Sequence, residues 1–208
     1  MSTKKNSITT HDDILRILCT SVSNTLSTAT GSVVSHSTKV QKITKTCLKP
    51  DFGCFVVFDG GFSGLVIFNF NSESALDVYH QYMTNMGIPE EELSTHHNSD
   101  DVGNVLGELM NQCIGHFTHQ IQETLQVNIT QSQPKMMALN QQVTLQVDSN
   151  LDKPQARRVS FTTQQHHNFY IEFAMDRTEF IDIFSKDTTP SSSSINDDTD
   201  SLLDELGI

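Results

Sequence analysis

The sequence predicts an α+β protein in which one sheet carries long helices on one face and a flexible tail follows. Three observations predict this. Two β-branched and aromatic runs flank Asp59-Gly60-Gly61 between Cys54 and Phe70, the pattern of a hairpin covered on at least one face. Two segments, near 14–26 and 106–125, space their apolar residues by three and four, as amphipathic helices do. From Asp187 the chain turns to Thr, Pro and Ser, a composition that tethers and does not pack.

Taken in order, residues 1–9 are polar and read as disordered. Thr10 or Asp12 can cap a helix whose Ile14, Leu15, Ile17, Leu18, Val22 and Leu26 share a face, and Gly31 closes it. Residues 39–48 read as one strand, and the glycine-turned hairpin comes next. A helix over 72–86 and a polar connection over 89–100 lead into a long amphipathic helix over 101–126. Met136 and Met137 read as core or strand packing. Short strands are expected near 142–147, 159–163 and 169–175, with a polar turn through 164–168. Helix, strand, hairpin and helix are thus followed by helix and strands again, which suggests two half-units of one sheet. The boundaries are a domain over 10–186, a linker over 187–196 and an amphipathic peptide over 197–208.

Composition narrows the function. A net charge of −12 over 208 residues argues against nucleic acid or an anionic membrane as the main partner. No run approaches the roughly 18 apolar residues of a membrane span, and the polar start is unlike a signal peptide, so the expected location is cytoplasmic. Cys19, Cys47, Cys54 and Cys113 form no Cys-x-x-Cys pair and read as free thiols. Cys113, His116 and His119 follow at i, i+3 and i+6, but their directions diverge around the helix, so no metal is expected. His96-His97 and His166-His167 fall in polar connections and read as solvated.

On the long helix, Leu106, Leu109, Met110, Cys113, Ile114, Phe117, Ile121 and Leu125 fall on one side. Asn104, Glu108, Asn111 and Gly115 fall opposite, with Glu108 and Asn111 adjacent at i and i+3. Alone, such a pair is ordinary solvated surface. Gly115 leaves room for another surface to approach.

These residues resemble the CheX–CheC–FliY phosphatase family. Its signature is Asp or Ser, three residues, Glu, two residues, Asn, then twenty-two residues and Pro. Here Glu108-Leu-Met-Asn111 is followed at that spacing by Pro134, while Asn104 stands where the family has Asp or Ser. The resemblance spans about residues 10–184, and its single Glu-x-x-Asn is CheX-like. It implies a CheC/CheX-like pseudo-symmetric sheet and hydrolysis of the aspartyl phosphate of a CheY-like response regulator. In that scheme Asn111 positions the attacking water, Glu108 pairs with the regulator's Lys, and Asn104 and Gly115 lie in the contact. Mg²⁺ belongs to the regulator, this chain carries no cofactor, and a homodimer is implied. The alternative is a non-catalytic adaptor for a regulator or flagellar switch component.

The segment Asp198-Thr-Asp-Ser-Leu-Leu-Asp-Glu-Leu-Gly-Ile208 resembles the C-terminal peptide of the CheZ phosphatases, which act on the same target. Leu202, Leu203 and Leu206 can form the apolar side of a short helix that folds in a partner's groove, Ile208 joins them as a partner-binding residue, and the Ser-rich linker is the tether. The tail could equally pack on its own domain or serve as a solubilising end.

Overall fold

Side-chain chemistry at the helix ends sets the frame of the structure, a computed structural model that describes residues 8–139, 141–144 and 154–181. Helix α1 (His11–Thr30) starts at Thr10, whose backbone N–H and hydroxyl both donate to the Asp13 carboxylate, at 2.9 and 2.8 Å. It ends at Gly31, whose φ of 64° is the left-handed turn that glycine adopts without strain. Helix α2 (Ser72–Asn85) opens on Asn71, which accepts from the Ser74 N–H at 2.8 Å. Helix α3 (Asp100–Leu125) opens on Ser99, which accepts from the Val102 N–H. Each helix has acidic residues in its first turn, the sign that suits the helix dipole there.

The strands, in chain order, are β1 (Ile8–Thr9), β2 (Ser35–His36), β3 (Gln41–Ile43), β4 (Cys47–Leu48), β5 (Phe52–Gly60) and β6 (Gly64–Phe70). They continue with β7 (Ile129–Gln131), β8 (Lys135–Ala138), β9 (Val143–Thr144), β10 (Gln155–Thr162), β11 (Asn168–Met175) and β12 (Phe180–Ile181). The main sheet is antiparallel, in the order β2-β10-β11-β6-β5-β7, with β3 also on β10 and β8 also on β5. Two small pairs complete the pattern, β1 with β12 and β4 with β9.

The arrangement has an internal two-fold logic. The run α1-β2-β3-β4-β5-β6 is repeated by α3-β7-β8-β9-β10-β11, and the halves meet where β6 pairs β11. Each half lends its edge strands to the other: β2 and β3 pair β10, while β7 and β8 pair β5. Strand β4 pairs its own counterpart, β9.

Alternation along the strands divides the sheet into two faces. One face presents Cys54, Val56 and Phe58 from β5, Val66, Phe68 and Phe70 from β6, Val159 and Phe161 from β10, and Phe169, Ile171 and Phe173 from β11. All three helices close over it and share its core. Stacked rings run across the strands, Phe161 on Phe169 and Phe169 on Phe70, with centroids 5.1 and 4.6 Å apart. The opposite face has a smaller core of Leu65 and Ile67 with Leu48 and Leu139. There the fully buried Glu172 accepts from Arg158 Nε and Nη2 at 2.9 and 2.6 Å and from the Cys47 N–H at 2.6 Å, so its charge is paired.

Several sequence expectations need correction. Residues 39–48 make two short strands instead of one, because the chain leaves the β10 edge after Ile43 and crosses to the other sheet face to meet β9. Strand pairing already begins at Ile8, opposite Ile181. Met136 is half-buried on the core while Met137 is exposed, as alternation on β8 requires. Of the strand expected over 142–147, Val143 and Thr144 are paired, and residues 145–147 lie outside the described residues. Cys19, Cys54 and Cys113 are buried free thiols, and burial pushes Cys19 and Cys54 up to about 12. Among the described residues no helix is long and apolar enough to cross a membrane.

Candidate functional site

Helix α3 buries Leu106, Leu109, Met110, Cys113, Ile114, Phe117 and Ile121 against the sheet, which turns Asn104, Glu108, Asn111 and Gly115 outward together. All four are exposed. Glu108 Oε1 accepts from Gln112 Nε2 at 3.0 Å, one turn along the same helix. That partner is a neutral amide and brings no compensating charge. Asn111 Oδ1 accepts from Gln131 Nε2 at 3.3 Å, a contact made from β7. Among the described residues a Cβ at Gly115 would meet nothing within 4 Å, so packing among them does not require glycine there.

The outward ridge has a depression on each side. Toward β8 lies a cleft of about 400 Å³ lined by Phe52, Gly103, Asn104, Gly107, Pro134 and Met136. The long interval between Asn111 and Pro134 thereby returns the chain beside the start of α3, next to Asn104. On the other flank, a groove of about 350 Å³ between α1 and α3 is lined by Arg16, Ile17, Asn24, His116 and Gln120 among others.

The first half of the molecule has no matching pair. Ile14, Leu15, Leu18, Cys19, Val22 and Leu26 of α1 have the same spacing as Leu109, Met110, Cys113, Ile114, Phe117 and Ile121 of α3. In that alignment Asp13 stands for Glu108, Arg16 for Asn111 and Thr20 for Gly115. Asp13 is occupied by Thr10 and by Arg16 Nη1 at 3.0 Å. The hydrogen bonds from Thr10, more than the pairing with Arg16, hold its carboxyl below the usual carboxylate range.

Cys113 is fully buried in the core, and burial pushes its thiol upward, away from the reactive thiolate. His116 and His119 are exposed, and among the described residues no group of three or more His, Cys, Asp or Glu could hold a metal ion. What the ridge offers is a carboxylate bonded by a neutral amide, and a carboxamide, beside bare helix backbone. Such a set can bind a cation and orient a water molecule.

Sequence reasoning missed three polar contacts. Gln112 and Gln131 are the first two, and nothing in the sequence distinguishes them from solvated glutamines. The third corrects the reading of His167 as solvated: its Nδ1 is 3.1 Å from Oδ2 of the buried Asp77. The Thr163 hydroxyl and the Gln81 amide donate to Asp77, which ties α2 to the β10–β11 turn. Leu202, Leu203, Leu206 and Ile208, with the linker before them, lie outside the described residues.

A family model described as "Protein of unknown function (DUF3334)" matches residues 5–207. No curated protein matches. Among solved structures, the chemotaxis protein CheX of Desulfovibrio desulfuricans is 19% identical with a TM-score of 0.63, over 79% of this chain and 99% of its own. CheX of Vibrio vulnificus is 16% identical with a TM-score of 0.63, over 79% and 99%. A chain of the CheX–CheY–BeF3–Mg²⁺ complex of Borrelia burgdorferi is 16% identical with a TM-score of 0.53, over 79% and 98%. At these identities the likeness is one of fold.

Proposed function

The chain belongs to the DUF3334 family and has the CheX-type fold, and on that premise we propose that it docks a phosphorylated CheY-like response regulator on α3 and hydrolyses its aspartyl phosphate. The observation that carries the reading is the exposed Glu108–Asn111 pair, set on a ridge with nothing crowding Gly115 one turn further on. The Borrelia burgdorferi CheX fold was solved with CheY and Mg²⁺, which supports a regulator as the partner.

In this reading the regulator supplies Mg²⁺ and a lysine that neutralise the phosphoryl oxygens. Glu108 takes that lysine as its cation, a charge-assisted contact that fixes the two proteins in register. Asn111 holds a water in line with the phosphorus. The water oxygen bonds to phosphorus as the bond to the aspartyl oxygen breaks, giving inorganic phosphate and a free aspartate. Positioning supplies the rate, much as a glutamine orients water in GTPases. The tail, through Leu202, Leu203, Leu206 and Ile208, holds the regulator nearby and raises its effective concentration.

The test is the decay of a phosphorylated CheY-like regulator from the same organism. Full-length protein is expected to accelerate decay, Asn111→Ala to lose about 100-fold of that acceleration, and Glu108→Ala to weaken regulator binding. A chain ending at Lys186 should need more regulator to reach the same rate. Unchanged decay with retained binding would replace this reading by that of a non-catalytic adaptor.

A further inference from the structure

We infer that Gln131 is a positioning residue for Asn111, fixing which end of the Asn111 carboxamide faces the docking partner; this rests on the phosphatase reading above. Gln131 donates from Nε2 to Asn111 Oδ1 at 3.3 Å, which claims one lone pair of that carbonyl and leaves the Nδ2 hydrogens of Asn111 free. Without such a restraint an exposed asparagine amide turns freely, and a water held by it has no single direction. The Gln131 backbone is held in place, since β7 is paired to β5 with Gln131 opposite Phe58.

Two observations indicate that folding alone does not account for this glutamine. Among the described residues its buried Oε1 has no hydrogen-bond partner, which lowers stability relative to an apolar side chain of the same size. The fold also does without the contact in its other half. There Arg16 stands for Asn111 and His36, on β2, for Gln131, yet Arg16 bonds to Asp13 while His36 Nδ1 meets the Ser37 carbonyl and its ring lies against Phe161. A side chain that leaves its own acceptor orphaned in order to hold an exposed amide is arranged for that amide.

The experiment uses the full chain and the phosphorylated regulator, comparing Gln131→Leu, Gln131→Glu and Asn111→Ala. Gln131→Leu removes the orphaned carbonyl together with the donor. It is expected to melt at the same temperature as the parent or higher, yet to lower kcat about three- to tenfold with KM unchanged. Gln131→Glu keeps the size but can only accept, so it should reverse the Asn111 amide and lower kcat at least as much. In the Asn111→Ala background neither substitution should have a further effect, because the positioned group is gone. Wild-type kcat in Gln131→Leu, beside a crippled Asn111→Ala, would overturn the inference and leave the phosphatase reading standing. So would a kcat loss that comes with a lower melting temperature and persists in the Asn111→Ala background. If Asn111→Ala is itself as active as the parent, the phosphatase reading fails first and takes this inference with it.

Discussion

Gly115 is mid-helix and exposed, where glycine costs about 1 kcal/mol relative to alanine. A Cβ there would touch nothing. Gly115→Ala should therefore raise stability by about that amount, read as a shift in denaturant midpoint, while Gly115→Arg should fold normally and weaken regulator binding more than tenfold. A second residue gives the protein a pH signature. His11 is buried, donates from Nε2 to the Gln155 carbonyl at 3.1 Å, and lies beside Arg157. Burial, and then the Arg157 charge, lowers its pKa below the usual 6.5. The unfolded chain therefore binds the proton more readily, so the contribution to stability is complete above about pH 6.5 and is lost as pH falls below it. Unfolding midpoints measured from pH 7.5 to 5.5 should fall in the parent, and fall less in His11→Gln.

At the scale of elements, what was legible followed from periodicity. The helical stripes and the hairpin around Gly60 repeat every three to four or every two residues, and local sequence contains them in full. Strands β2 and β7 escaped notice, β3 and β4 ran together as one, and β8 showed only as packing at Met136 and Met137, because two to four residues carry too little alternation, and because the partners of β2, β3, β7 and β8 lie in the other half of the chain. The outward set on α3 could be read from spacing. That Pro134 returns to the cleft beside Asn104, and that Gln131 reaches Asn111, depends on where β7 and β8 dock, which no local pattern records. Close docking also constrains β5. A Cβ at Gly53 would come 2.5 Å from Leu48 Cδ2 and 3.1 Å from Leu139 Cδ1, so Gly53→Ala should cost about 1–3 kcal/mol in chemical denaturation by forcing the second face apart.

Over the whole molecule, two similar halves carry different chemistry. On α3 the outward Glu108 is spare, while on α1 the corresponding Asp13 is spent on starting the helix. Asp13→Ala is expected to cost about 1 kcal/mol at neutral pH and to leave dephosphorylation unchanged, whereas Glu108→Ala should do the reverse. Because the Asp13 pKa is depressed, its contribution is present above the unfolded carboxylate value near 3.9 and disappears as pH falls through the lower folded value. Urea midpoints at pH 7 and pH 3 in parent and Asp13→Ala would show the difference narrowing in acid.

The pairing of Ile8 with Ile181 and of Thr9 with Phe180 brings the two ends of the described chain within one strand spacing, roughly 5 Å. Topologically the domain is almost a ring. A short peptide could join those ends, and new ones could be opened at Gly87, which is exposed and where even a Cβ would touch nothing. Such a circular permutant would begin with the half that carries Glu108 and Asn111 and finish with the half that does not, reversing the order in which the two are made.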